Sequence, residues 1–111
     1  MAEKLFAACD RGELTLVVLP EVLAECVFVL ESFYKQPRDL IARALGTLVG
    51  SPGIEISDAH VRRQALDLYA RTRLHFVDCT LAAAAADAGR PIASFDAGLG
   101  KLPGVRIAVD I

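Results

Sequence analysis

Several features that would point to a class of function are absent from this sequence. Its 12 basic and 14 acidic side chains give a net charge of −2, so any binding of nucleic acid must rest on a local basic patch. Glu25 and Glu31 interrupt the longest apolar stretch, and no run reaches the roughly 18 residues of a membrane span. The start of the chain does not resemble a signal peptide. These absences predict a soluble, cytoplasmic protein with no membrane contact.

Paired cysteines are also lacking. The three cysteines, Cys9, Cys26 and Cys79, are far apart and odd in number, which does not suit a disulfide framework. No CxxC or Cys/His spacing indicates zinc. We therefore expect these side chains to act as small buried hydrophobic groups in a reducing compartment.

The chain has enough apolar residues, 54% of 111, to build one compact domain spanning residues 1–111. Turn signals at proline and glycine separate strand-like from helix-like segments. Helices are predicted at 1–11, 20–34, 38–49, 57 or 58 to 73, and 78–88, and strands at 14–19, 54–56, 91–95 and 105–109. This alternation predicts an α/β fold with three α/β/α layers and a mainly parallel sheet.

Three carboxylates fall where such a sheet binds ligands, at the carboxyl ends of its strands. Glu25 lies near the second turn of the helix that follows strand 14–19, and Asp78 begins the helix at 78–88. That helix descends about 16 Å and the next strand climbs about 16 Å, so Asp96 returns to the level of Asp78. We expect Glu25, Asp78 and Asp96 to share one edge.

Crowded carboxylates favour a hard cation such as Mg²⁺ or Mn²⁺. A cation held in this way can activate water and stabilise the charge that builds on a phosphate. The residues therefore indicate hydrolysis of phosphodiesters as the reaction class.

Each acid also has a purely structural interpretation. Asp78 stands at a helix start and would serve as an N-cap, and Asp96 precedes Ala-Gly and would serve in a turn. Glu25 shares a helical stripe with Glu21 and Ser32, as on a solvated face. Against the last interpretation, the helix is otherwise apolar nearly all round, and a lone glutamate there is costly unless a polar group receives it.

Three segments resemble the PIN domain, the fold of small metal-dependent ribonucleases such as VapC-type toxins. They are residues 22–30 (VLAECVFVL), residues 76–83 (FVDCTLAA), which are similar to the family pattern FxDxxLAA, and residues 92–96 (IASFD) followed by Leu99. The link at 51–56 and the ending at 102–105 also fit in order and spacing. The resemblance covers essentially the whole chain.

The resemblance implies that acids bind Mg²⁺ or Mn²⁺ and that the bound metal cuts RNA. Glu25, Asp78 and Asp96 match three of the family's acidic positions, and Ser94 matches a Thr or Ser that supports the site through a hydrogen bond. It further implies an antitoxin protein as partner and a homodimer. Candidates for holding RNA phosphates share a positive charge on predicted helices; they are Arg38, Arg43, Arg62, Arg63, Arg71 and Arg73.

One family element has no counterpart in these residues: the opening, central strand with its aspartate. Asp10 and Asp110 do not replace it, because one ends a helix and the other a strand. The alternatives are a fragment or misassigned start, a degenerate copy, a partner chain that supplies a strand, or a sheet closed in the order 54–56, 14–19, 91–95, 105–109.

Two function classes follow from this comparison. The first is a metal-dependent ribonuclease, the toxin of a type II toxin–antitoxin system, with three of about four metal-binding acids. The second is a non-catalytic module derived from the PIN domain, which dimerises or binds an antitoxin. A receiver-like domain fits worse, since no acidic cluster follows a first strand, and a Gly-rich nucleotide loop lacks its spacing at Gly98 and Gly100.

Overall fold

The computed structural model describes residues 2–91, which form helices and a short pair of parallel strands. Apolar residues recur at helical spacing in the longer segments, and proline and glycine separate them. The elements are α1 (Ala2–Asp10), β1 (Leu16–Val17), α2 (Pro20–Ser32), α3 (Arg38–Val49), β2 (Ile54–Glu55), α4 (Ala59–Arg71) and α5 (Phe76–Ala88).

The predicted helix bounds hold best where turn residues stand on both sides. Pro37 precedes α3 and Gly50 follows it, and α3 spans the predicted residues. Helix α2 ends at Ser32, two residues earlier than predicted. Helix α5 begins at Phe76, two residues before Asp78, so the prediction that Asp78 starts this helix is wrong.

The two strands are parallel neighbours, as predicted. Leu16 pairs with Ile54 and Val17 with Glu55, and the amide of Leu16 donates to the carbonyl of Gly53 at 2.7 Å. Strand β1 is shorter than the predicted 14–19. Beyond Pro91, the predicted strands 91–95 and 105–109 lie outside the described residues.

Gly53 is required at the start of β2. Its φ is +74°, and a Cβ added there would lie 2.7 Å from both Cys9 Cβ and the Leu14 carbonyl oxygen. Only glycine fits a left-handed position against so close a backbone. The contact fixes α1 beneath the pair of strands.

Helix α4 is the centre of the core, since it packs against both α3 and α5. Helix α2 also packs against α3 and α5. Its buried residues Ala65, Leu66 and Tyr69 meet Leu23 and Ile41 from the neighbouring helices. Cys9 and Cys79 are buried free thiols, which confirms the prediction that they are buried apolar side chains, whereas Cys26 is only half-buried. No described helix is long and apolar enough to cross a membrane.

Candidate functional site

Glu25 lies on the outer face of α2. Leu23 and Val27 of the same helix are buried in the core, and at 3.6 residues per turn Glu25 is about 200° from each of them. It lines an open groove of about 350 Å³ between α2 and α3 with Val22, Cys26, Val29, Leu30 and Leu45. Its side chain is exposed, so water hydrates the carboxylate. The exposure agrees with the interpretation of Glu25 as part of a solvated face, and its role as a metal ligand stays a prediction.

Asp78 is the third residue of α5, and His75 occupies the N-cap position. The interpretation of Asp78 as an N-cap is therefore wrong, although a carboxylate in the first turn still interacts favourably with the helix dipole. The side chain is half-buried. Neither the Asp78 side chain nor the Glu25 side chain forms a hydrogen bond or ion pair with another residue of the described chain.

The structure brings the helices of these two acids together, since α2 and α5 pack against each other. Among residues 2–91, no three His, Cys, Asp or Glu side chains are grouped closely enough to hold a metal. Asp96 and Ser94 lie outside the described residues. The shared edge predicted for Glu25, Asp78 and Asp96 therefore stays a prediction.

Sequence reasoning missed a polar cluster where α2, α3 and α4 meet. Tyr69 is fully buried, and its hydroxyl donates to Glu31 Oε2 at 2.7 Å. The guanidinium carbon of Arg38 lies 3.7 Å from the centroid of the Tyr69 ring, and Nη1 lies 3.5 Å from Glu31 Oε1. We call Glu31, Arg38, Tyr69 and Leu74 the Arg38 corner.

Backbone carbonyls complete the Arg38 corner. Arg38 Nε donates to the carbonyl of Tyr69 at 2.9 Å, and Nη2 donates to the carbonyl of Leu74. Arg38 was predicted as a candidate for holding RNA phosphates. Its side chain is instead only 25% exposed, with its donors directed at protein oxygens.

The pKa values of Tyr69, in the corner, and of Cys79, beside it, are both raised, mainly by burial. Burial raises the pKa of Tyr69 far above its ordinary value, and the hydrogen bond to Glu31 raises it further. Burial also raises the pKa of the Cys79 thiol, against the effects of the Thr72 hydrogen bond and the Arg38 charge, and the neighbouring Asp78 charge adds to the rise. Arg38 and Asp78 thus act electrostatically on the same sulfur atom.

One sequence signal for the corner was available. The apolar stripe of Val61, Ala65, Leu68 and Tyr69 along the predicted helix at 57 or 58 to 73 places Tyr69 on the inward face. A buried tyrosine hydroxyl usually has a hydrogen-bond partner. Nothing in the sequence identified that partner, because Glu31 is 38 residues away and helix packing alone brings the two together.

Comparison with models of known protein families identifies the family of this chain. Residues 2–105 match the family model of the PIN domain. The chain belongs to the PIN domain family. Its mixed α/β architecture agrees with the α/β/α fold expected of a PIN domain, a fold generally associated with nucleases. No curated protein and no solved structure matched the chain.

PIN domains typically use divalent metal ions. The carboxylates of Glu25 and Asp78 are hard oxygen donors, the type that Mg²⁺ and Mn²⁺ prefer, and neither is engaged elsewhere in the described chain. The donor chemistry of these two residues therefore fits the metal expected of the family.

Proposed function

We propose that this protein is a metal-dependent ribonuclease of the PIN family, the toxin of a type II toxin–antitoxin system, that hydrolyses RNA phosphodiesters. The observation that carries the proposal is the PIN match over residues 2–105. Support comes from Asp78, whose half-buried carboxylate lies in the first turn of α5 with no partner in the described chain.

In this proposal Glu25, Asp78 and Asp96 hold the cation, and Ser94 supports the site through a hydrogen bond. A bound Mg²⁺ or Mn²⁺ would supply an activated water and would stabilise charge on the phosphate. The protein residues provide three negative charges that attract the cation. The backbone of α5 adds the positive end of a helix dipole close to Asp78.

The proposed protein partners are an antitoxin and a second copy of the chain. Val22, Phe28 and Val29 lie on the outer face of α2 and are 44%, 66% and 40% exposed. A contiguous exposed apolar surface of this kind is typical of a protein contact. It runs alongside Glu25, so a bound partner would also cover the proposed metal site.

Substitution of the two described acids tests the ribonuclease proposal. Glu25→Gln and Asp78→Asn keep the side-chain shape and remove the charge. Each should lower Mn²⁺-dependent cleavage of a labelled RNA by on the order of 100-fold or more, since even indirect metal partners cost 10- to 100-fold. Glu21→Gln, on the same exposed side of α2, and Asp87→Asn, at the far end of α5, are matched controls.

The controls should cleave like the unmodified protein. Cleavage that persists in both Glu25→Gln and Asp78→Asn would exclude these acids from the reaction. Failure of the unmodified protein to cleave any of a pool of transcripts at saturating Mn²⁺ would refute the ribonuclease assignment.

The second candidate function is a non-catalytic interaction module, which the exposed apolar side chains of α2 favour. It predicts that neutral substitutions at Glu25, Asp78 and Asp96 leave partner binding unchanged. Phe28→Ser would instead weaken binding or dimerisation, because it removes the most exposed apolar side chain of that helix. Sedimentation of both variant types separates this function from the first.

A further inference from the structure

Arg38 connects α3 to the end of α4 and to the link that precedes α5. It is the first residue of α3, yet its Nε and Nη2 reach the carbonyls of Tyr69 and Leu74, which are 31 and 36 residues further along the chain. Two carbonyls held by one planar guanidinium leave little freedom to the backbone between them. That backbone is the link at 72–75, which joins α4 to α5.

Thr72 holds the same link from within. Its hydroxyl donates to the carbonyl of Leu68 at 2.7 Å and accepts from the amide of Leu74 at 3.3 Å. Leu74 is therefore fixed at its N–H by Thr72 and at its carbonyl by Arg38. The next residue, His75, accepts from the amide of Cys79 at 3.1 Å, which extends the fixed backbone into the first turn of α5.

A second route runs through side chains. Arg38 lies over one face of Tyr69, and the Tyr69 ring meets the edge of Phe76 at 5.8 Å between centroids. Phe76 is buried and is the first residue of α5. Asp78 is two residues further, so both routes from Arg38 end in the turn that carries this carboxylate.

We propose that Arg38 is a positioning residue for Asp78: by holding the link at 72–75 and the stack of Tyr69 on Phe76, it sets where the Asp78 carboxylate is presented to a divalent cation. This inference rests on the proposed function, in which Asp78 binds the metal. It assigns Arg38 no contact with RNA, since its donors are directed at Glu31 and the two carbonyls.

The role requires an arginine. A lysine ammonium has neither the planar fork that spans two carbonyls nor the flat face that stacks on a tyrosine ring. Arg43 of the same helix is the matched control, because it is 73% exposed and its ion pair is with Asp39, within α3. Arg38→Lys and Arg43→Lys make the same substitution. Arg38 bonds to carbonyls outside α3, whereas the ion pair of Arg43 lies within α3.

Mn²⁺ titration of the RNA-free protein tests the proposal. Arg38→Lys should weaken Mn²⁺ binding by on the order of 10-fold, the effect typical of residues that orient a metal ligand, and Arg43→Lys should leave it unchanged. In an Asp78→Asn background, Arg38→Lys should cause no further loss, because its effect acts through Asp78. Equal Mn²⁺ affinity in Arg38→Lys, or an undiminished loss in the Asp78→Asn background, would overturn the proposal.

Hydrogen exchange of the metal-free protein gives an independent measurement. The amide of Cys79 should exchange about 10-fold faster in Arg38→Lys than in Arg43→Lys, since the turn loses its fixed start. If the unmodified protein binds no Mn²⁺, the metal-binding function fails, while this exchange result still decides whether Arg38 orders the turn of Asp78. Unchanged exchange at Cys79 would reject that role.

Thr72→Val replaces Arg38→Lys in both measurements if the latter does not fold. It removes the hydroxyl bonds on the link and the contact of the same hydroxyl with Cys79 Sγ at 3.9 Å, in the first turn of α5. Weaker Mn²⁺ binding that disappears in the Asp78→Asn background would support control of Asp78 by the link. Unchanged Mn²⁺ binding would count against it.

Discussion

Helix α2 presents two faces that differ in how completely the described chain satisfies them. On the inner side Leu23 and Val27 are buried, and Glu31 accepts from a tyrosine and pairs with an arginine. On the outer side, Val22, Phe28 and Val29 are exposed, and Glu25 has no partner among residues 2–91. The inner side stabilises the fold. The outer side leaves apolar side chains exposed and a carboxylate unpaired in the described chain, and such groups are suited to binding a partner or a ligand.

The largest expected effect separates these faces by stability. Leu23→Ala should lower the free energy of unfolding by about 2–5 kcal/mol, because it leaves a cavity in the core. Phe28→Ala, on the same helix but 66% exposed, should change it by no more than about 0.5 kcal/mol. Urea denaturation of both variants measures the difference. Similar losses would show that the outer face is covered in the free protein, and the comparison would then fail.

Two glycines allow the same comparison of a tightly packed position with an open one, without the loss of a large side chain. Gly53→Ala should destabilise by about 1–3 kcal/mol, since the residue has a positive φ and the new Cβ meets Cys9. Gly46→Ala, inside α3 with nothing within 4 Å of the new Cβ, should stabilise by about 0.5–1 kcal/mol. Thermal unfolding of the two variants should therefore shift in opposite directions, and a shared sign would contradict the local geometry.

The smallest expected effect is the pH dependence of the stability that Tyr69 contributes in the Arg38 corner. Because its pKa is raised in the folded state, its contribution to stability is complete below the unfolded tyrosine pKa of about 10 and is lost as the pH rises past that value. The stability difference between the unmodified protein and Tyr69→Phe should shrink above about pH 10.

Phenolate absorbance provides the matching spectroscopic measurement. Tyr34 is the only other tyrosine, so the Tyr34→Phe variant reports Tyr69 alone. While this variant stays folded, its phenolate absorbance should rise only at pH values above those at which a free tyrosine titrates. An ordinary titration curve in the folded protein would show that the Tyr69 hydroxyl is open to solvent and that the corner is not closed.

The parts of the fold that could be predicted are those where proline and glycine mark the ends of helices. Pro37 and Gly50 fixed both ends of α3, and apolar periodicity correctly placed Val61, Ala65 and Tyr69 in the core. The start of α5 was predicted wrongly, because an aspartate before an apolar helix resembles an N-cap. The helix begins instead at Phe76, which packs against Tyr69. Tertiary packing set that helix start against the local capping preference.

The candidate site was predictable only in its residue types. Carboxylates after strands and at helix starts indicated a cation site, and the family match supports that class of function. The exposure of Glu25 was one of two interpretations that the sequence left open, because the stripe with Glu21 and Ser32 indicated a solvated face while the apolar residues around it indicated a covered one. Arg38 looked like any charged residue at a helix start.

The sequence alone determined the α/β class, the approximate positions of the helices and the membership of the PIN family, because periodicity, turn residues and short motifs are local properties of the chain. Only the tertiary structure decided that Arg38 turns inward onto Tyr69 and two carbonyls while Glu25 turns outward. Those outcomes depend on contacts between residues 31 or more positions apart, and such contacts exist only once the helices have packed.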